Sequence, residues 1–469
     1  MTGILQKLND GRGVTASTAT AMVARLASAG VVIIAMPIAL HSLGAERFGA
    51  FLLLFGVINW MILGNFGVNS ALGRLIASGD IEANRISEML GSAVAYAAVT
   101  AGATALVVGG AFLLWMKMAG PRVRLPEHEL LVAGFTMVAL SFMQLVLQTF
   151  EGVQIGNLEI YVTNLMRITG SIFTFICLLV LPRFWPSITV FVIALSGGTL
   201  VGSAANAALV LRKTGITFIH LHRNLNRLRP LAVSGLAFLL LGAAGLLQTQ
   251  MPVVILATMR GPEAAVDYGL FVRLLFVMMS VLSMVTVPLW PAIMDARSSG
   301  SNEWVRRSTW LSGWLVIGVG ALCMIVLAPF GGKVISLWTG RRLTEPLIFQ
   351  VAFAVYFLQI AWSHYWCIIL VGFGRERFAA LVHIGEGLLI AMAGAALTSR
   401  LGATGTILGA VCALACVSNW ILPVVAVRAL RALRASHAQL PGANQVAVHD
   451  HHAEGVFNKA LSEEIPSSI

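Results

Sequence analysis

Charge is what this chain has least of: 11% of its 469 residues are Asp, Glu, Lys or Arg, while 58% are hydrophobic. So little charge lies outside the range of soluble globular domains, because too few polar side chains remain to cover a water-facing surface. Acidic residues are scarcer than basic ones, 20 against 31, and the net charge is +11. That excess does not point to nucleic acid, because the basic residues are spread through short loops and never gather on one amphipathic face. The five cysteines, Cys177, Cys323, Cys367, Cys412 and Cys416, all fall inside apolar segments, which argues against a disulfide framework or a zinc site. No metal-ligand cluster and no nucleophile–base spacing stands out, so neither a metal nor another cofactor is expected. The polar start, Met1 to Gly13, and Arg25 within the first apolar run leave no expected removable signal peptide.

What the chain does have is long apolar runs. A helix needs roughly 20 such residues to cross a bilayer, and only helices or closed barrels satisfy their own backbone in lipid. The runs here are too long for barrel strands, so an all-α integral membrane protein of about 12 spans is expected. In the first half they are Thr18 to Leu40, Phe48 to Leu72, Met89 to Trp115, Leu130 to Phe150, Ile160 to Leu181 and Ser187 to Leu211. The second half supplies Leu231 to Met259, Val266 to Pro291, Thr309 to Phe330, Leu347 to Val371, Phe378 to Leu397 and Ala403 to Val427. With both termini in the cytoplasm, the inner segments collect Lys7, Arg12, Arg74, Arg85, Arg212, Lys213, Arg223, Arg227, Arg229, Arg297, Arg306, Arg307, Arg375, Arg377, Arg428, Arg431, Arg434 and Lys459. The outer loops carry fewer, among them Arg47, Lys117, Arg260, Lys333, Arg341 and Arg342, and this asymmetry orients the chain by the positive-inside rule.

An internal repeat organises these spans. Phe48-Gly49 corresponds to Tyr268-Gly269 (268 − 48 = 220), and Gly152 corresponds to Gly372 at the same spacing. Six spans per half make the repeats parallel, with a pathway between two bundles near the midplane. The expected division is a cytoplasmic N-terminus at 1–17, a lobe at 18–211, a cytoplasmic connector at 212–230, a second lobe at 231–427 and a cytoplasmic tail at 428–469. The tail begins with a basic juxtamembrane stretch and then has too few apolar residues to build a core, so disorder is expected there.

Polar residues inside spans are the candidate site. An Arg at the centre of a spanning helix costs about 2.5–3.5 kcal/mol, so it must be paired, face a wet cavity or reach the interface. Arg25, Arg167 and Arg273 each lie about seven residues from a span end, roughly 10 Å deep. Snorkelling to headgroups is one fate for them. Against it, Glu386 is the one clear carboxylate within a span, and the positive excess calls for a buried anion. A phosphate fits, because guanidinium geometry matches two phosphate oxygens. His383 and Glu386 share a helix face, suited to relaying protons, holding a coupling cation or pairing structurally. His364 is the repeat partner of Gln144 (364 − 144 = 220), and both, with Asn65, are candidates for a polar lining.

The run Leu43-Gly44-Ala45-Glu46-Arg47-Phe48-Gly49, with Trp60, Asn65-Phe66-Gly67 and Ala71-Leu72-Gly73-Arg74, resembles the first two spans of Wzx-type polysaccharide flippases. These belong to the multidrug/oligosaccharidyl-lipid/polysaccharide exporter superfamily. The resemblance extends more loosely over Thr18 to Val427. It implies two six-helix lobes around a cationic cavity and a bacterial inner-membrane location. It also implies translocation of undecaprenyl-diphosphate-linked oligosaccharide for O-antigen or exopolysaccharide assembly. Polysaccharide polymerases, glycosyltransferases and membrane lipids are the partners it implies. Cationic residues on spans one and eight are similar in position to the cavity arginines of lipid II flippases, which supports Arg25 and Arg273. Those flippases carry more cations in the first two spans and have fourteen helices, which argues against a peptidoglycan precursor here.

Two other functions are weighed against a flippase. A cation-coupled multidrug exporter of the same architecture calls for acidic lining residues, and only Glu386 is available. A membrane polymerase or ligase calls for a sizeable extracytoplasmic loop carrying catalytic groups, and the expected outer loops are short. A transporter rather than an enzyme is therefore expected.

Overall fold

The computed structural model describes residues 12–65, 67–77, 86–119, 125–157, 159–214 and 229–438. The expectations for residues 1–11, for the connector at 215–228 and for the tail beyond 438 lie outside the described residues. The described secondary structure is helical throughout. Helix α1 covers Arg12–Met61, a 3-10 turn follows at Ile62–Asn65, and then come α2 Val68–Ala77, α3 Ile86–Ala119, α4 Glu127–Gln148 and α5 Glu151–Gly156. The first half closes with α6 Ile160–Phe184 and α7 Ile188–Thr214. The second half runs through α8 Arg229–Thr249, α9 Met251–Arg260, α10 Ala265–Thr286, α11 Leu289–Ser298, α12 Asn302–Thr339, α13 Leu347–Gly372, α14 Glu376–Cys416 and α15 Ser418–Ala438.

Among the described residues, ten helical stretches are long and apolar enough to cross a membrane. Two of them, Ala19–Met61 with 43 residues and Glu376–Leu433 with 58, are about twice the length a bilayer needs or more. Each is broken inside by a glycine in the left-handed region, Gly44 (φ 75°) and Gly402 (φ 60°). A side chain would be strained at either position, and the breaks fall between runs read from the sequence as separate spans. At Gly402 the chain doubles back. Thr398 Oγ1 and Thr406 Oγ1 are 2.7 Å apart, and a Cβ on Gly409 would come within 2.7 Å of the Gly394 nitrogen. The second expected span departs from a single rod: its helix ends at Met61, passes through the 3-10 turn and restarts at Val68 after Gly67 (φ 71°). The apolar count across 48–72 does not register this bend, because glycine interrupts a helix without interrupting hydrophobicity.

The spacing of 220 reappears in the packing. A Cβ on Gly152 would strike Asn69 O and the Leu72 side chain, and a Cβ on Gly372 would strike Ile293 and Trp290 O. In each half, then, the glycine after one long helix lets the chain settle on the short helix that ends the second crossing. One core spans both halves at the Gly44 end, joining Met36, Phe48, Phe51 and Phe191 to Tyr268, Phe271, Phe349 and Ile407. At the opposite end each half keeps its own core: Leu72, Leu90, Phe150 and Val210 in one, Ile293, Tyr365, Ile369 and Leu422 in the other. The halves are therefore packed together at the Gly44 end and separately cored at the other. Large apolar side chains such as Leu106, Leu311 and Leu337 stand exposed on the outer faces, as lipid-facing helices require.

Candidate functional site

Helix α10 begins in the shared core, where Tyr268, Leu270 and Phe271 are buried, and the same packing carries Arg273 into the interior at 5% exposure. Its guanidinium carbon lies 4.3 Å from the ring centroid of Phe55, on the first half, and 5.9 Å from that of Phe276, one turn onward. Among the described residues no carboxylate and no hydrogen-bond acceptor pairs with it. A cation over an aromatic face is stabilised by the ring quadrupole, by up to about 2 kcal/mol when desolvated. That leaves its five N–H donors without acceptors, and an anion would complete them.

The other two arginines have different surroundings. Arg25 is exposed on α1, beside the buried Ala24. Arg167 is exposed on α6 and donates to Glu151 Oε2 at 2.7 Å; the Glu151 side chain itself is only 8% exposed. Glu151 was not read from the sequence as lying within the membrane. It follows the fourth apolar run immediately, but the chain stays buried through Gly152, Val153 and Gln154 in α5. The signal was available: the residues after Glu151 remain largely apolar, so the run does not end there. This carboxylate reduces the positive excess counted from sequence and leaves Arg273 as the buried guanidinium without a counter-charge.

Glu386 and His383 do come together, in a closed cluster. Glu386 is fully buried and accepts from Gln248 Nε2 at 3.2 Å and from Ser418 Oγ at 3.1 Å. His383 Nδ1 lies 3.2 Å from the same carboxylate and 2.9 Å from Gln248 Nε2. Tyr356 Oη fixes this arrangement from α13 by donating to Gln248 O at 2.8 Å. Helix α8 and the two consecutive helices α14 and α15 thus meet on one carboxylate.

A cavity of about 640 Å³ opens beside the cluster, between α8, α10, α13 and α14. Phe276, which Arg273 touches, forms part of its wall, as do His383, His364 and Ser363. Ser363 is 2% exposed and its hydroxyl has no partner among the described residues. His364 Nε2 lies 3.1 Å from Thr286 Oγ1. Its repeat partner Gln144 accepts from Thr199 Oγ1 at 3.1 Å and ties α4 to α7. Asn65 closes the 3-10 turn, and its side chain lies outside the described residues.

The family described as "Polysaccharide biosynthesis protein" matches residues 14–297. No curated protein matches the chain significantly. Among solved structures, the chain is similar to an inward-facing multidrug-resistance MATE transporter of the MOP superfamily, with TM-score 0.65 and 14% identity over 88% of this chain and 98% of that one. It is also similar to a MATE transporter of Vibrio cholerae, with TM-score 0.63 and 16% identity over 90% and 97%. A third is a MOP superfamily transporter of Pyrococcus furiosus whose binding pocket has reversed polarity, with TM-score 0.60 and 14% identity over 89% and 96%. These likenesses show a shared fold across nearly the whole chain.

Proposed function

Because the chain belongs to the polysaccharide biosynthesis protein family and is a multi-pass membrane protein with a transporter fold, we propose that it is a flippase for lipid-linked oligosaccharide. Its substrate would be an oligosaccharide on a polyprenyl diphosphate, moved across the bacterial inner membrane for O-antigen or exopolysaccharide synthesis. The single observation that carries this reading is the buried Arg273 guanidinium, held against Phe55 of the other half and lacking a carboxylate. In such a site a diphosphate replaces water around the cation with two charge-assisted hydrogen bonds. Arg25, exposed on α1, is the second candidate for the headgroup. Arg167 is assigned a lesser role, because Glu151 already neutralises it.

Movement would follow alternating access. Among the described residues the halves share a core at the Gly44 end, so opening there and closing at the other end would carry the headgroup across while the polyprenyl tail stays in lipid. The His383–Glu386 pair beside the cavity is the proposed place where a proton or cation couples to that exchange. A multidrug exporter is less well supported, because Glu386 is shut off from solvent and occupied by Gln248 and Ser418. The test is a strain producing Arg25→Ala with Arg273→Ala at normal protein levels. Lipid-linked oligosaccharide is expected to accumulate on the side of synthesis, and unchanged polysaccharide export would count against the proposal.

A further inference from the structure

The surface of the second half carries a basic groove that shares no lining residue with the cavity beside His383. It measures about 490 Å³ and is lined by Gly332, Lys333, Ser336, Leu337, Arg342 and Gln350, with Pro329 and Leu343 completing it. Lys333 lies less than two turns before α12 ends at Thr339, and Arg342 follows in the loop to α13. The groove therefore sits where the apolar surface of the protein gives way to its polar end. Exposed apolar side chains flank it: Leu337 at 89%, Leu347 at 60%, Ile348 at 51% and Phe330 at 49%.

Donors predominate among its polar groups: the Lys333 ammonium, the Arg342 guanidinium and the Gln350 amide nitrogen, beside the Ser336 hydroxyl. Lys333 and Arg342 are exposed, and neither has a carboxylate partner among the described residues. The neighbouring Arg341 differs: it turns inward and donates to Asp267 Oδ1 at 3.0 Å. Glu345 is engaged on the other side by the Thr404 hydroxyl at 3.3 Å. The nearby carboxylates are thus occupied and no acidic side chain lines the groove. Gln350 inserts its amide against Gly332, where Oε1 accepts the Gly332 N–H at 2.8 Å and Nε2 remains available.

We infer that this groove binds an anionic membrane phospholipid, its phosphodiester held by Lys333, Arg342 and Gln350 and its acyl chains lying on Phe330 and Leu337. Charge complementarity and position favour a lipid: a soluble anion has no use for exposed apolar flanks at headgroup depth. Lys supplies a compact point charge and Arg a planar fork, a pairing that suits a phosphate at an interface. The inference stands independently of which substrate passes between the halves.

The test uses the full chain in nanodiscs containing phosphatidylglycerol and phosphatidylethanolamine, with native mass spectrometry reading the lipids retained on release. Phosphatidylglycerol is expected to persist on the protein after phosphatidylethanolamine is lost. Lys333→Ala with Arg342→Ala should weaken its retention roughly fivefold for each cation removed, and Lys333→Arg should keep it. If the double variant does not fold, Arg342→Gln carries the test, since that side chain is exposed and its loss disturbs no core. Equal retention of both lipids, or unchanged phosphatidylglycerol in the variants, would overturn the inference. Displacement of the lipid by millimolar inorganic phosphate would overturn it too, marking a site for a free anion.

Discussion

Leu52 occupies the space that a side chain at Gly269 would need: a Cβ there would come within 2.5 Å of Leu52 Cδ1. The repeat-related Gly49 meets the turn of the other half just as tightly, its Cβ position lying 2.0 Å from Pro262 O. The two halves are thus closed at the Gly44 end through glycines that admit backbone and side chain alike. Gly49→Ala should overpack this contact, at a cost of about 1–3 kcal/mol, and shift the protein toward opening there. A cysteine placed at Leu52, which is 1% exposed, reports the change. It should resist a membrane-impermeant thiol reagent alone and react several-fold faster when combined with Gly49→Ala; equal rates would show that the glycine does not control closure.

Glu386 accepts from Gln248 and Ser418 and lies beside His383 Nδ1, so Glu386→Ala should leave the Ser418 hydroxyl without its acceptor and remove one partner each from Gln248 and His383. Each unsatisfied buried group costs about 1–3 kcal/mol, and a clear drop in thermal midpoint is expected in detergent. Glu386→Gln preserves the shape and should lose less. An Ala variant melting like the wild type would show that the cluster is not structural.

Arg167 and Glu151 should give an unequal pair of variants. Glu151→Gln leaves an arginine that is 56% exposed, whereas Arg167→Ala strands a carboxylate that is 8% exposed. Arg167→Ala should therefore destabilise the protein more, by about 1–3 kcal/mol, and adding Glu151→Gln should recover part of the loss. A double variant no more stable than Arg167→Ala would contradict the pairing.

Glu345, in the loop between α12 and α13, titrates outside the membrane spans. Burial pushes its carboxyl above the ordinary 4.5, and the Thr404 hydroxyl opposes that while the Asp267 charge adds to it. A carboxyl raised in the folded state binds its proton more tightly there than when unfolded. Its contribution is therefore full below 4.5 and is lost as pH rises through the raised value. Thermal midpoints should accordingly fall across that weakly acidic range, and Glu345→Gln should flatten the slope. An identical slope in the variant would place the pH dependence on other groups.

Much of this was legible in the sequence, for a physical reason. Lipid forces every crossing to be a helix, so apolar runs mark the spans, and the gaps between runs at 41–47 and 398–402 contain the two glycines where the structure breaks its longest helices. Arg273 was legible because a charge within an apolar run stands out. Its aromatic partner Phe55 was not, since nothing in composition tells which of 23 phenylalanines crosses from the other half. Glu151 was missed because an acidic residue at the edge of a run reads as the start of a loop. The meeting of Gln248, Glu386 and Ser418 was also hidden, because periodicity places residues on a face without saying which helix that face meets.

The most direct measurement is a flipping assay with purified protein in proteoliposomes, using a fluorescent polyprenyl-diphosphate oligosaccharide and a reductant that cannot cross the membrane. Wild-type protein should expose the label on the far side. Arg273→Gln, equally folded, should slow this by about 10- to 100-fold, as expected for losing charge-assisted hydrogen bonds worth roughly 1.5–3 kcal/mol. Wild-type flipping by Arg273→Gln would contradict the assignment of that guanidinium to the diphosphate.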